Sequence, residues 1–181
     1  MKKVFLFLAV AATAAFGLTS CEKIEDALFK PFQSPLSFDV TIPVIAETNV
    51  EKQMGETVVR YNLDSVIRAN TGNVFGADIV GAMYVKDIAI QLQNSDAGNN
   101  LSNFDYVKLS VASGNGTPVI MGPFNIPATT TTSVSFPVTT SINILPFFSG
   151  SNVSFKLSGK ANKATTKTLT ARISATISFE K

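Results

Sequence analysis

The strongest constraint on the fold is a segment near the end of the chain in which apolar and polar side chains alternate without interruption. Residues 169–180 read LTARISATISFE, and every second side chain is apolar over all twelve positions. Successive side chains of a β-strand point to opposite faces, so this alternation places the apolar ones together. The segment therefore predicts a long strand with one face on a hydrophobic core and the other in water.

Shorter extended segments precede this strand. They cover residues 36–42, 56–63, 86–94, 106–112, 119–121, 134–138 and 152–159. Turn-forming residues separate them, as in SGNGTP at 113–118. Asp64 is expected to cap one short helical turn. We predict an all-β protein in which residues 36–181 form a single antiparallel β-sandwich. Its architecture is immunoglobulin-like by analogy only, since the Cys…Trp…Cys core of immunoglobulin domains is absent.

The first twenty residues have the pattern of a secretory signal peptide. Met1, Lys2 and Lys3 precede an apolar run from Val4 to Leu18. A membrane-spanning helix needs roughly 20 apolar residues, and this run is shorter. We therefore exclude residues 1–20 from the folded domain.

The residues that close this segment contain the single cysteine of the chain. Leu18, Thr19, Ser20 and Cys21 together resemble the lipobox of bacterial lipoproteins. The resemblance implies that the Cys21 thiol receives a diacylglyceryl group and that signal peptidase II cuts before it. We therefore expect a protein anchored in the cell envelope, of the outer-membrane type. The alternative is an ordinary signal peptide followed by an unused cysteine. Residues 21–35 are expected to be the lipidated cysteine and a connector, either a short amphipathic turn or a free tether.

The composition excludes several classes of function. The chain contains no histidine and no tryptophan, and Cys21 is its one cysteine. Ser-His-Asp and Cys-His catalysis and the usual zinc, iron and copper ligand sets are therefore excluded. Without residues 1–20 the chain carries 13 basic and 13 acidic side chains, which gives no general signal for nucleic-acid binding. We predict no enzyme activity, no catalytic residue, no metal and no cofactor.

A polar loop at residues 94–105 is the first candidate site. Asn94, Asp96 and Asp105 occupy the first, third and twelfth places of a window that resembles a calcium-binding EF-hand loop. The fifth place is Gly98, the glycine expected at the sixth place is missing, and no flanking helices are predicted. The alternatives are an improvised calcium site and a solvated connection that caps its own backbone.

Two further surfaces are candidates for a partner or ligand. Acidic residues dominate positions 22–105 and basic residues dominate 106–181. The two halves either neutralise each other inside one sandwich, or leave a basic patch for phosphate-bearing lipid or glycan that comprises Lys156, Lys160, Lys163 and Lys167. Phe147 and Phe148 follow Pro146, and the alternatives for them are an exposed apolar tip for a partner and filling of the core, as for the other phenylalanines.

The sequence thus predicts a lipid-anchored protein of the cell envelope whose function is non-enzymatic. We expect a structural or interaction module, adhesin-like or accessory, that contacts the membrane through lipidated Cys21 and binds another envelope protein or a glycan. The alternative is a surface lipoprotein that binds a glycan or a divalent ion, and an enzyme comes third.

Overall fold

The computed structural model describes residues 28–114 and 116–181, and the lipobox with Cys21 lies outside these residues. One α-helix and three short 3₁₀ helices, at Ala77–Ile79, Leu101–Asn103 and Leu145–Phe148, accompany eight strands. No helix in the described part has the length and apolar character that a membrane span requires. In chain order the larger elements are β1 (Phe32–Ile42), β2 (Glu51–Arg60), α1 (Leu63–Asn70), β3 (Ala82–Leu92), β4 (Phe104–Ala112), β5 (Val119–Asn125), β6 (Ser133–Pro137), β7 (Asn152–Ala161) and β8 (Leu169–Glu180).

The strands form two four-stranded sheets. The first has the order β1-β8-β3-β6 and the second the order β2-β7-β4-β5. All neighbouring strands pair antiparallel. The predicted antiparallel sandwich is therefore confirmed. Its strand order is that of a jelly roll, an eight-stranded sandwich made of two Greek keys, so the analogy with immunoglobulin domains extends to the layered architecture and not to the connections.

The alternating segment forms β8, as predicted, and lies in the middle of the first sheet. Its side chains at Leu169, Ala171, Ile173 and Phe179 are completely buried. β1 pairs with one edge of β8 and β3 with the other. Both edges of β8 are therefore hydrogen-bonded and one face is buried, whereas β3, the other inner strand, pairs with β6 over residues 87–91 only.

Aromatic rings join the two sheets across the core. The rings of Phe38 on β1 and Phe155 on β7 stack with their centroids 4.2 Å apart. On the opposite side of the sandwich, Phe124 on β5 stacks on Phe136 on β6 at 5.2 Å. Such pairs contribute about 0.5–1.5 kcal/mol beyond the area they bury. They tie the first sheet to the second near both pairs of edge strands.

The connector expected at residues 21–35 is shorter than the sequence indicates. β1 begins at Phe32 rather than at Leu36, and Phe29 is already buried. The Phe32 ring stacks on Phe179 of β8 at 4.8 Å, which holds this part of the chain in the sheet. Pro35 is compatible with a strand here because β1 lies at the edge of its sheet.

The predicted helical turn is a full helix with a different cap. Asn62, not Asp64, is the N-cap of α1, and its side-chain oxygen accepts a hydrogen bond from the Ser65 N–H at 2.9 Å. Asp64 lies in the first turn and forms an ion pair with Arg68 at 2.6 Å. Its other oxygen accepts from the backbone N–H of Ala77 at 3.0 Å, so this carboxylate joins the helix to the following 3₁₀ turn.

The sandwich has two ends of different character. At one end, which we call the helix end, lie Phe32, α1 and the connection from β6 to β7. At the other, which we call the loop end, four connections meet. These loops are residues 43–50, 93–103, 126–132 and 162–168. The eleven residues of β1 separate the two ends by about 35 Å.

A substitution at Gly159 tests the close contact between β7 and β4. A Cβ at this position of β7 would collide with the backbone carbonyl oxygen of Tyr106 on β4. We expect Gly159→Ala to lower the free energy of unfolding by about 1–3 kcal/mol, as overpacking does. Urea unfolding followed by circular dichroism measures this change. Gly150→Ala is the control, because a Cβ at Gly150 meets nothing within 4 Å. Equal effects of both substitutions would show that the close approach of β7 and β4 does not require glycine at 159.

Candidate functional site

The two loop regions that carry candidate residues meet at the loop end. The Lys167 ammonium forms an ion pair with the Asp96 carboxylate at 2.7 Å. The backbone N–H of Asn162 donates to the Asn103 carbonyl at 2.9 Å. The connection between β3 and β4 and the connection between β7 and β8 therefore form one continuous surface. In the sequence, the loop at 94–105 and the lysines at 156–167 are two separate candidate sites.

Four polar residues of this surface are buried, which the sequence did not indicate. They are Asn99, Asn100, Asn103 and Thr165, each at most 6% exposed. A buried amide that lacks a partner costs about 1–3 kcal/mol, so each needs its hydrogen bonds within the protein. The structure supplies these bonds, and the loops are consequently held in one arrangement.

Asn103 is the centre of this hydrogen-bond network. Its side-chain amide nitrogen donates to the carbonyl of Gly98 at 3.0 Å and to that of Ala164 at 3.1 Å. Its side-chain oxygen accepts from the Asn100 N–H at 3.4 Å, which completes a capping box for the 3₁₀ helix. One side chain thus fixes both loops.

Asn99 makes a second connection between the same loops. Its side-chain oxygen accepts from the backbone N–H of Thr166 at 2.7 Å. Its side-chain nitrogen donates to Asp96 at 2.9 Å and to the Thr166 hydroxyl at 3.1 Å. Thr165 extends the network to the loop at 43–50, because its hydroxyl accepts from the Ile45 N–H at 2.9 Å.

The oxygens expected to bind calcium are engaged in bonds to the protein itself. Asp96 accepts from Lys167, from Asn99 and from the Gly98 N–H. The Lys167 ammonium, followed by the Asn99 side chain, holds the pKa of Asp96 far below its usual range. Asn94 bonds to the backbone of Thr168 and of Thr170.

Asp105 is likewise occupied. It forms an ion pair with Lys160 at 2.8 Å and accepts from Asn162 at 2.9 Å. The Lys160 ammonium, and after it the Asn162 side chain, lowers the pKa of Asp105. Residues 28–114 and 116–181 contain no group of three or more histidine, cysteine or carboxylate side chains placed to hold a metal ion. The structure therefore gives no support to an improvised calcium site at 94–105.

The basic patch, one of the two alternatives for the β7–β8 hairpin, is also not formed as a free surface. Lys156, Lys160 and Lys167 each form an ion pair, whereas Lys163 is exposed in the loop at 162–168. Of the eight ion pairs within the described residues, five join an acid of the first half to a base of the second. These are Asp39–Arg172, Glu51–Lys108, Glu56–Lys156, Asp96–Lys167 and Asp105–Lys160. The uneven distribution of charge thus reflects pairing inside the sandwich.

The prediction of an exposed Phe147–Phe148 tip is wrong. Phe148 is 2% exposed, and its ring packs edge-on against Tyr61 at 4.9 Å and Phe155 at 6.5 Å. Phe147 is partly buried against the same core. Pro146 occupies the beginning of the 3₁₀ helix at Leu145–Phe148, and this turn directs Phe148 inward. The pair closes the helix end of the core and offers no apolar tip.

One buried group at the helix end lacks a partner. The Tyr61 hydroxyl is buried and, among the described residues, has no hydrogen-bond partner. Burial raises the pKa of Tyr61 to about 12. Its ring packs against Phe148 in the core, and this packing offsets the cost of burying the hydroxyl without a hydrogen bond.

The fold and the loop network together define the class of this chain, a jelly-roll β-sandwich with a rigid polar end. No protein-family profile matches it, and no curated protein sequence matches it. Solved structures with similar folds include the cyanophage Pam1 capsid asymmetric unit, with 11% identity, a TM-score of 0.40, and coverage of 84% of this chain and 88% of that one. The decameric BFDV capsid protein has 8% identity and a TM-score of 0.33, with coverage of 83% and 100%. These likenesses concern the fold, and the strand order of this chain is what assigns it.

Asn103→Ala tests whether the network holds the loop end together. The substitution leaves the carbonyls of Gly98 and Ala164 without their donor, so we expect the free energy of unfolding to fall by about 1–3 kcal/mol. Thermal or urea unfolding measures the loss. Asn152→Ala, at an exposed position that begins β7, is the matched control and should change stability by less than about 0.5 kcal/mol. Equal stabilities of the two variants would show that the network is dispensable.

Proposed function

We propose that this chain is a lipid-anchored protein of the cell envelope, of the outer-membrane type, and that it acts as a non-enzymatic interaction module. The anchor is Cys21, and its support is the resemblance of residues 18–21 to a lipobox. The module is the jelly-roll sandwich, and the surface that binds a partner is the loop end. The observation that carries the proposal is that Leu28 and Phe32, which follow Cys21 closely in the sequence, lie at the end of the fold opposite the loop network.

The geometry of the chain supports this arrangement. Leu28, the first described residue, lies at the helix end and follows Cys21 by seven residues. Seven residues span about 25 Å at most, even when fully extended. A lipid on Cys21 therefore keeps the helix end near the membrane, while the strands carry the loop end about 35 Å further out.

The composition of the loop end favours a protein partner over a glycan. None of the four loops, at 43–50, 93–103, 126–132 and 162–168, contains an aromatic residue. Aromatic rings supply the flat apolar faces on which sugar rings stack. The loops expose polar side chains such as Asn49 and Lys163 together with two valines, Val44 and Val50, which are 51% and 54% exposed. Mixed polar and apolar contacts of this kind are typical of interfaces between proteins.

The rigidity of the loops also fits binding better than catalysis. Asp96, Asp105 and Lys160 are all engaged in ion pairs, so none is free to act as an acid, a base or a nucleophile in this arrangement. Loops that are already ordered lose little conformational entropy when a partner binds, which favours affinity. We therefore place an interaction module ahead of an enzyme.

Cys21→Ala tests the anchor. We expect this variant to remain unprocessed and to incorporate no labelled palmitate, because it lacks the thiol that carries the acyl chains of a lipoprotein. Globomycin should block processing of the unchanged protein. Ser20→Ala keeps a small residue before the cysteine and is the matched control, which should be processed normally. An unmodified Cys21 in the mass spectrum of the native protein would overturn the anchor.

A photo-reactive amino acid at the loop end tests the binding surface. Placed in cells at Ala97 or Lys163, both exposed on adjoining loops, it should crosslink to one envelope protein. Placed at Ser37 or Ser135, exposed on the outer face of the first sheet, it should give no such product. Immunoblotting and mass spectrometry read the result. Crosslinking from the sheet face alone would assign the partner to a different surface.

A further inference from the structure

We infer that the helix end rests on the phospholipid surface through a small apolar patch, so that the domain contacts the membrane directly in addition to its lipid. The patch consists of Leu28, Val74 and Phe75, with Lys30 at its rim. This inference depends on the proposed lipidation of Cys21, and its test is arranged so that the two can fail separately.

Two of the most exposed apolar side chains of the described residues belong to this patch. Leu28 is 60% exposed and Val74 is 66% exposed. They come from segments more than forty residues apart in the sequence, yet both line one concavity of about 360 Å³ together with Phe75 and Lys30. Single exposed apolar side chains are common on protein surfaces, whereas exposed apolar side chains that the fold brings together are typical of an interaction surface.

The backbone after α1 holds Val74 in its outward position. Gly72 and Asn73 both have positive φ angles, 63° and 65°, and turn the chain away from the helix. The Val74 N–H donates to the Thr71 carbonyl at 3.2 Å, and the Phe75 N–H donates to the Thr71 hydroxyl at 3.3 Å. The exposure of Val74 is thus a property of an ordered turn.

The remainder of the patch is fixed to the core. The Phe75 ring packs edge-on against buried Phe29 at 5.9 Å, and the Phe29 ring contacts Phe32 at the start of β1. The patch is consequently rigid with respect to the sandwich. Any surface that meets it also sets the tilt of the whole domain.

The position of the patch along the chain indicates a membrane as its occupant. Leu28 belongs to the patch and follows Cys21 by seven residues, so a lipidated Cys21 holds the patch within about 25 Å of the bilayer. Lys30 lines the same concavity as Leu28, so its ammonium group would lie at the level of the lipid headgroup phosphates. Apolar side chains flanked by a cation match the interfacial region of a bilayer, where a second weak contact reinforces an acyl anchor.

A single introduced tryptophan reports this contact. The chain contains no tryptophan, so Val74→Trp gives an isolated fluorescent probe in the patch. The full lipidated protein is reconstituted into vesicles of phosphatidylethanolamine and phosphatidylglycerol, with and without bromine atoms on the acyl chains. We expect brominated lipid to reduce emission from Trp at 74 about twofold, because interfacial apolar groups lie roughly 5–10 Å deep in the headgroup and acyl boundary.

Val44→Trp is the matched control. Val44 is a valine of comparable exposure, at 51%, but it belongs to the loop end. Its tryptophan should emit as in water and should not be quenched by brominated lipid. In the Val74→Trp background, Leu28→Ser should reduce the quenching, because it removes half of the exposed apolar pair.

The outcomes separate the inference from the proposed function. Flotation of the vesicles shows independently whether the protein is anchored. Protein that floats with the vesicles while both tryptophans remain unquenched would overturn the membrane contact and leave the lipid anchor standing. A blue-shifted but unquenched Trp at 74 would assign the patch to a protein neighbour and would equally overturn the inference. Protein that does not float would overturn the anchor and, with it, the membrane contact.

Discussion

The burial of one face of β8 is the constraint on which the rest of the structure depends. The chain has one cysteine, so no disulfide within it can stabilise the sandwich. Burial of apolar area must supply the stability, at about 25 cal/mol per Å². β8 contributes the most continuous apolar face, with Leu169, Ala171 and Ile173 at 0% exposure. Its two neighbours are β1, which is one edge strand of the first sheet, and β3, which in turn pairs with the other edge strand, β6. The position of β8 therefore sets the positions of the remaining strands of this sheet.

The jelly-roll order then explains why the two ends of the molecule differ. Connections leave each strand alternately at one end and the other, so the loop after β3 and the loop after β7 meet although they are some sixty residues apart in sequence. The same order interleaves the acidic first half of the chain with the basic second half. Ion pairs such as Asp39–Arg172 and Glu51–Lys108 follow from that interleaving. Most are exposed and contribute little to stability, but they leave the sheet faces electrically balanced.

The sequence predicts what depends on near neighbours and misses what depends on distant ones. Alternation with period two locates β8 and the sandwich, because a strand requires only that one face be apolar. The predicted cap of α1 is two residues away from the observed one, since Asn62 and Asp64 are both good caps and the Asp64 carboxylate bonds instead to the Ala77 N–H beyond the helix. Phe148, two residues after Pro146, resembles part of a surface turn, and its burial depends on contacts with the rings of Tyr61 and Phe155. Burial of Asn103 likewise requires the carbonyl of Ala164.

In the function we propose, the loop network and the apolar patch meet different requirements at the two ends of one sandwich. A surface that recognises a partner gains from being ordered beforehand, and buried amides achieve this because they tolerate no other arrangement without losing their hydrogen bonds. A surface that meets lipid needs no directional bonds, so exposed apolar side chains on a firm turn suffice. Asn99 and Asn103 therefore belong at the loop end, and Leu28 and Val74 at the helix end. In the arrangement we propose, the jelly roll between them transmits the tilt fixed at the membrane to the surface that faces the partner.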